Sequence, residues 1–203
     1  MIKRVLLGFW MVTPVLLVVF HFGIGKHLAV RDRAADQAAL ARAAEAREDW
    51  AAAVGFYDKA LQMMPERELG DRRLFRFSRA RAVFHEGKLE AAIVDLETIE
   101  KELEREMPDS RVLSGVRSEL AQARFCKAWL LRQAGRSEGE WRPLATASKQ
   151  GFGSLAVASK RLGKADEEAG HARHIVEVVR LENVSAADFN ALPMPTNCVS
   201  CRL

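Results

Sequence analysis

The chain has 203 residues, 49% of them hydrophobic and 29% charged, with a net charge of +4; this allows one core and an appendage and excludes a disordered polyelectrolyte. Tyr occurs once, while Ala, Leu, Glu and Arg crowd the middle with almost no alternating β-branched run, so the body is expected to be all-α. The charge is patterned locally, without a contiguous basic face or a groove-reading motif, which speaks against nucleic acid as a partner.

Residues 1–4 form a short tail ahead of residues 5–24, VLLGFWMVTPVLLVVFHFGI, which contain no acid, Lys or Arg. About twenty such residues cross roughly 30 Å of hydrocarbon as a helix. Trp10, Phe20 and Phe22 suit interfacial or lipid-facing positions, and Pro14 is tolerated in lipid where neighbours or waters re-satisfy the freed carbonyl. The stretch exceeds the apolar core of a signal peptide and no small-x-small cleavage site follows it, so an uncleaved transmembrane anchor is expected, with a juxtamembrane linker over residues 25–33. Lys3 and Arg4 on one side nearly balance Lys26, Arg31 and Arg33 on the other. The orientation expected is a short tail inside and the bulk outside.

The next stretch, LARAAEAREDWAAAVGFYDKALQMMP, sets Leu40, Ala41, Trp50, Ala53, Tyr57, Ala60 and Pro65 in order. Ala41 and Ala53 let two antiparallel helices approach closely, Tyr57 and Ala60 lie one turn apart on the packing face, and Pro65 stops the second helix. A second copy places Ala80, Gly87, Leu89, Ala92, Leu96 and Ile99 in the same frame, 39 residues later. Two looser copies follow, Ala128 with Gly135 and Ala156 with Gly163, only 28 residues apart, as though one helix were short or a connection cut.

These spacings resemble the tetratricopeptide repeat (TPR), well over residues 34–106 and loosely over residues 107–187. The usual period is about 34 residues, so about five extra residues, such as ELGDR ending at Arg72, are expected to lengthen the connection between the first two pairs. The resemblance implies a right-handed array of antiparallel helix pairs that works as a scaffold or adaptor for a protein partner. Heptads do not persist along the chain, which argues against a coiled-coil body. With its N-terminal anchor, the architecture looks like small bacterial TPR proteins encoded with von Willebrand-type and MoxR-type partners. It implies a single-pass protein of the bacterial inner membrane, its helical domain periplasmic.

The densest basic segment holds Arg72, Arg73, Arg76, Arg79 and Arg81, with Arg72, Arg76 and Arg79 on one helical face and an apolar stripe of Phe77 and Phe84. It is a candidate docking strip for an acidic segment, a carboxyl terminus or lipid headgroups; the plainer reading is that the acidic stretch from Glu90 to Glu106 neutralises it and that the phenylalanines belong to the core.

For catalysis the chain offers no G-x-S-x-G, no H-E-x-x-H and no phosphate-cradling loop, so it reads as no enzyme, with no cofactor expected. The last residues, 188–203, are expected to be an extended tail carrying Cys198 and Cys201 as C-x-x-C. Haem attachment fails because Arg202 stands where the following His is needed. A local or intermolecular disulfide suits an oxidising compartment. The alternative is a metal or thiol-redox function, in which His171 and His174 join Cys198 and Cys201 as a zinc site. Cys126, within a helical pattern, reads as a buried, inert thiol.

Overall fold

The computed structural model describes residues 10, 12–14, 26–65 and 69–198. Trp10 and residues 12–14 are helical; the rest of the predicted anchor lies outside the described residues, among which no helix is long and apolar enough to cross a membrane. The body is all-α, and there is no strand among the described residues. Its helices are α1 (Lys26–Glu45), α2 (Trp50–Met63), α3 (Leu69–His85), α4 (Leu89–Glu106), α5 (Arg111–Gln133), α6 (Glu138–Arg161), α7 (Ala165–Asn183) and the short α8 (Ala186–Asn190). Each of the first six packs on the next in chain order, and α3 also touches α5. Contacts between near neighbours are what a stack of helix hairpins produces.

Four of the connections are the same turn. Glu48, Gly87, Gly135 and Gly163 have positive φ, and the amide one residue later reaches back to the carbonyl five before it: Asp49 to Ala44, Lys88 to Val83, Arg136 to Leu131 and Lys164 to Ser159. This is the Schellman closure, in which a left-handed residue lets the last carbonyls of a helix find donors. The next helix starts at once. Asp49 accepts from the Ala52 amide, and the Glu140 carboxylate accepts from the Ser137 N–H and hydroxyl.

Among the described residues, the connection between α4 and α5 lacks this turn. Consequently α6, 24 residues long, is shared: it follows the turn at Gly135 and precedes the turn at Gly163. The 28-residue spacing between these glycines is therefore one helix and one turn, and neither a short helix nor a cut connection. Likewise, Leu69 to Arg72 form the first turn of α3, so part of the extra length lies within a helix instead of the connection.

Ala41, Ala53 and Ala60 are fully buried and Tyr57 nearly so, while Leu40 is 46% exposed and does not join that packing. The α1–α2 core is thus built of small side chains around one ring: Ala38, Ala41, Ala44, Ala53 and Tyr57, with Ala82 from α3. The larger core runs from α3 to the tail through Phe84, Leu96, Ile99, Leu103, Leu113, Phe125, Trp129, Trp141 and Phe189. Close crossings have their own small residues. A Cβ at Gly115 would meet the Phe77 ring at 3.2 Å, and one at Gly151 would meet the Ala121 Cβ at 3.1 Å.

The end of the chain is not wholly extended. After α8 it runs along residues 191–195 to a single 3-10 turn, Thr196–Cys198, which lies against α5.

Candidate functional site

The arginines of the basic segment turn to acids and carbonyls of the neighbouring helices. Arg72 donates to the carbonyls of Leu61 and Met64 at the end of α2, where orphan acceptors and the negative end of the helix dipole lie. Arg73 pairs with Glu106, and Arg76 with Glu102 at 2.5 Å. Arg79 bridges Asp58 of α2 and Asp95 of α4 at 2.5 and 2.8 Å, and Arg81 reaches Glu45 of α1 at 2.9 Å. Arg72, Arg76 and Arg79 line a cleft of roughly 250 Å³ with Leu61, Asp95 and Ile99. Phe84 is buried in the main core, and Phe77 packs over Gly115 at the α3–α5 crossing. Within the predicted docking strip the cations also tie α1, α2 and α4 to α3.

Of the five, only Arg81 belongs to a polar cluster spanning the first helices of successive pairs. From α1 comes Glu45, whose carboxylate accepts from the Tyr57 hydroxyl at 3.1 Å as well as from Arg81. From α3 come Arg81 and His85, the latter stacked on Trp50 with ring centroids 4.4 Å apart. From α5 comes Glu119. Burial pushes its carboxyl up from the ordinary value, with Arg81 opposing and Glu45 adding to the rise. Burial, then the positive charge of Arg81, pushes His85 down, against Glu45. Both groups are driven toward their neutral forms, and desolvation does most of it. A guanidinium, an imidazole and two carboxyls here present donors and acceptors across three helices. Sequence reasoning passed over Glu45, His85 and Glu119; their only signal was a polar side chain beside an alanine-rich packing face, as in SELAQARF.

The cysteines correct the sequence expectation. Cys198 is bonded to Cys126 of α5, with the Cα atoms 5.3 Å apart and a separation of 72 positions in the chain. The pair Cys198–Cys201 is therefore not formed at Cys198, Cys126 is not a free thiol, and Cys201 lies outside the described residues. Gln122, one turn before Cys126, points its amide at the two sulfurs, at 3.5 and 3.9 Å. The tail is held further by Phe189, tilted on Trp129 at 4.7 Å, and by Arg132, which lies over the Phe189 and Trp141 rings and donates to the Leu181 and Val184 carbonyls.

His171 and His174 are elsewhere. They line a groove of about 540 Å³ with Ser114, Gly115 and Ser118 of α5, and His174 stacks on Phe152 at 4.6 Å. Cys126 lies eight residues, about 12 Å, further along α5 from Ser118. The structure does not bring the histidines to Cys198, whose sulfur is already bonded, and among the described residues no group of three or more metal-binding side chains assembles. Burial, helped by His174 and opposed by Glu167, pushes His171 below its ordinary value.

The chain matches no family model, no curated protein and no solved structure.

Proposed function

We propose that this chain is a membrane-tethered, TPR-like scaffold, which binds a protein partner on the face where α1, α3 and α5 come together and carries out no catalysis. The observation that carries the reading is the set Glu45, Arg81, His85 and Glu119, contributed by the first helices of successive pairs. A stack of hairpins exposes such a face along its length, and partner segments are read by side chains spread over several repeats.

The tether rests on the composition of residues 5–24. The disulfide supports the outward orientation, since disulfides persist in oxidising compartments and the bacterial periplasm is one. An envelope assembly is the setting in which these two features agree, and von Willebrand-type or MoxR-type components remain the partner class that the architecture suggests.

The experiment is a crosslinking pull-down from native membranes with the full chain and an Arg81→Glu variant of unchanged thermal stability. Crosslinked partners that are present with the parent and lost with the variant support the reading. An identical partner set for both chains overturns the assignment of this face.

A further inference from the structure

The last long helix has two unlike sides. Val178 and Leu181 are buried, with His171, His174 and Ile175 partly so, and α7 packs chiefly on α6. On the opposite side Ala165, Ala169, Ala172, Val176, Val179 and Asn183 are all exposed, Val176 by 67%. Their spacings run four, three, four, three, four, the alternation that keeps one seam of a helix facing a partner helix. A repeat array ordinarily closes on a polar outer face. This one ends on an apolar heptad face.

The flanks say what fits it. With Ala169, Val176 and Asn183 at the a positions and Ala165, Ala172 and Val179 at d, Glu168 occupies a g position and Arg173 the e position five residues on. In a parallel two-stranded pair g meets the partner's e at that spacing, so Glu168 of each copy faces Arg173 of the other. Among the described residues neither makes an ion pair within its own chain, whereas most arginines of α3 and α5 do. The a positions also favour two strands: Val176 is β-branched, and Asn183 sets a carboxamide against its own copy. The alanines let the backbones approach closely.

We infer that α7 is a homodimer interface, and that its partner is α7 of a second copy, parallel to it, with Glu168 and Arg173 paired across the seam in both directions. The scaffold is then two-sided, with the α1–α3–α5 faces of two copies carried by one joined end.

The test uses the full chain in membranes with Cys201→Ser, Cys126 and Cys198 being bonded to each other. Val176→Cys is expected to give a disulfide-linked dimer on mild oxidation. The same substitution at Val157, exposed on α6, serves as the collision background. Glu168→Arg and Arg173→Glu, each added to Val176→Cys, reverse both pairs and are expected to lower the linked fraction about fivefold. Combining the two reversals restores it. A linked fraction at position 176 no greater than at position 157 overturns the interface. So does a double reversal as weak as the singles. Preferential linkage of Ala172→Cys to Val176→Cys in a mixture of the two chains overturns the parallel arrangement.

Discussion

Glu48 carries a side chain at a φ of 58°, where the equivalent residues of the other three turns are glycines. A left-handed L-residue costs roughly 1–2 kcal/mol, part of which glycine loses again through its greater freedom in the unfolded chain. Glu48→Gly is therefore expected to stabilise by about 1 kcal/mol, raising the melting temperature by about 2–4 °C in a chain of this size. A melt at or below that of the parent would show that the Glu48 side chain gives back what its backbone costs. Glu119 acts through pH. Its folded carboxyl binds protons more tightly than the unfolded one, so stability falls as pH rises from the ordinary carboxylate value toward the raised one. His85 has the opposite sign: its folded imidazole binds a proton less tightly than the unfolded one, and stability is lost as pH falls below its ordinary value of 6.5. Glu119→Gln removes only the first effect, so the melting temperature of the variant minus that of the parent should grow between pH 4 and pH 7. A constant difference would mean that Glu119 titrates alike in both states.

At the scale of elements, arginine recurs as a clamp on helix ends. Arg72 donates to the last carbonyls of α2, and Arg132 does the same for α7 while lying between two aromatic rings. The disulfide fastens the same C-terminal end. Closing a loop of 72 residues removes unfolded-chain entropy equivalent to about 4 kcal/mol in the simplest model. Cys126→Ser with Cys198→Ser should accordingly lower the melting temperature by about 10 °C, while Cys201→Ser leaves it unchanged; a comparable loss from Cys201→Ser alone would reassign the bond. These elements also separate what could be read from the chain from what could not. Ala41, Ala53, Tyr57 and Gly87 were legible because a close helix crossing needs a small residue and a left-handed turn favours glycine, both local requirements. The partners of Arg79 and Arg81 lie 16 to 36 residues away and depend on how four helices are rotated about their axes, which no short pattern encodes. The Cys126–Cys198 bond was further from view, because it needs the tail to turn back past α7 and lie on α5.

The whole molecule is close to one-dimensional, so its stability need not be uniform along the chain. The α1–α2 hairpin leans on α3 through a core of alanines and Tyr57, with Arg79–Asp58 and Arg81–Glu45 at its margins. Alanine buries little apolar area, and the ion pairs are partly solvated, so each adds little. The stretch from α3 to the tail buries Phe84, Phe125, Trp129, Trp141 and Phe189 in one continuous cluster and is cross-linked by the disulfide. Native-state hydrogen exchange on the full chain should then resolve two units: α1 and α2 opening together at a lower free energy, and α5 with its neighbours opening only near global unfolding. Reduction should draw the second toward the first, because it removes a constraint confined to the C-terminal end. Equal protection in α1 and α5 before reduction would mean that the alanine core couples the hairpin to α3 far more tightly than its buried area implies. The proposed partner face then matters in a further way. Glu45 lies on the weaker unit and Glu119 on the stronger, so a ligand held by both would join two regions that otherwise open separately, and the α1 and α2 amides should slow most on binding.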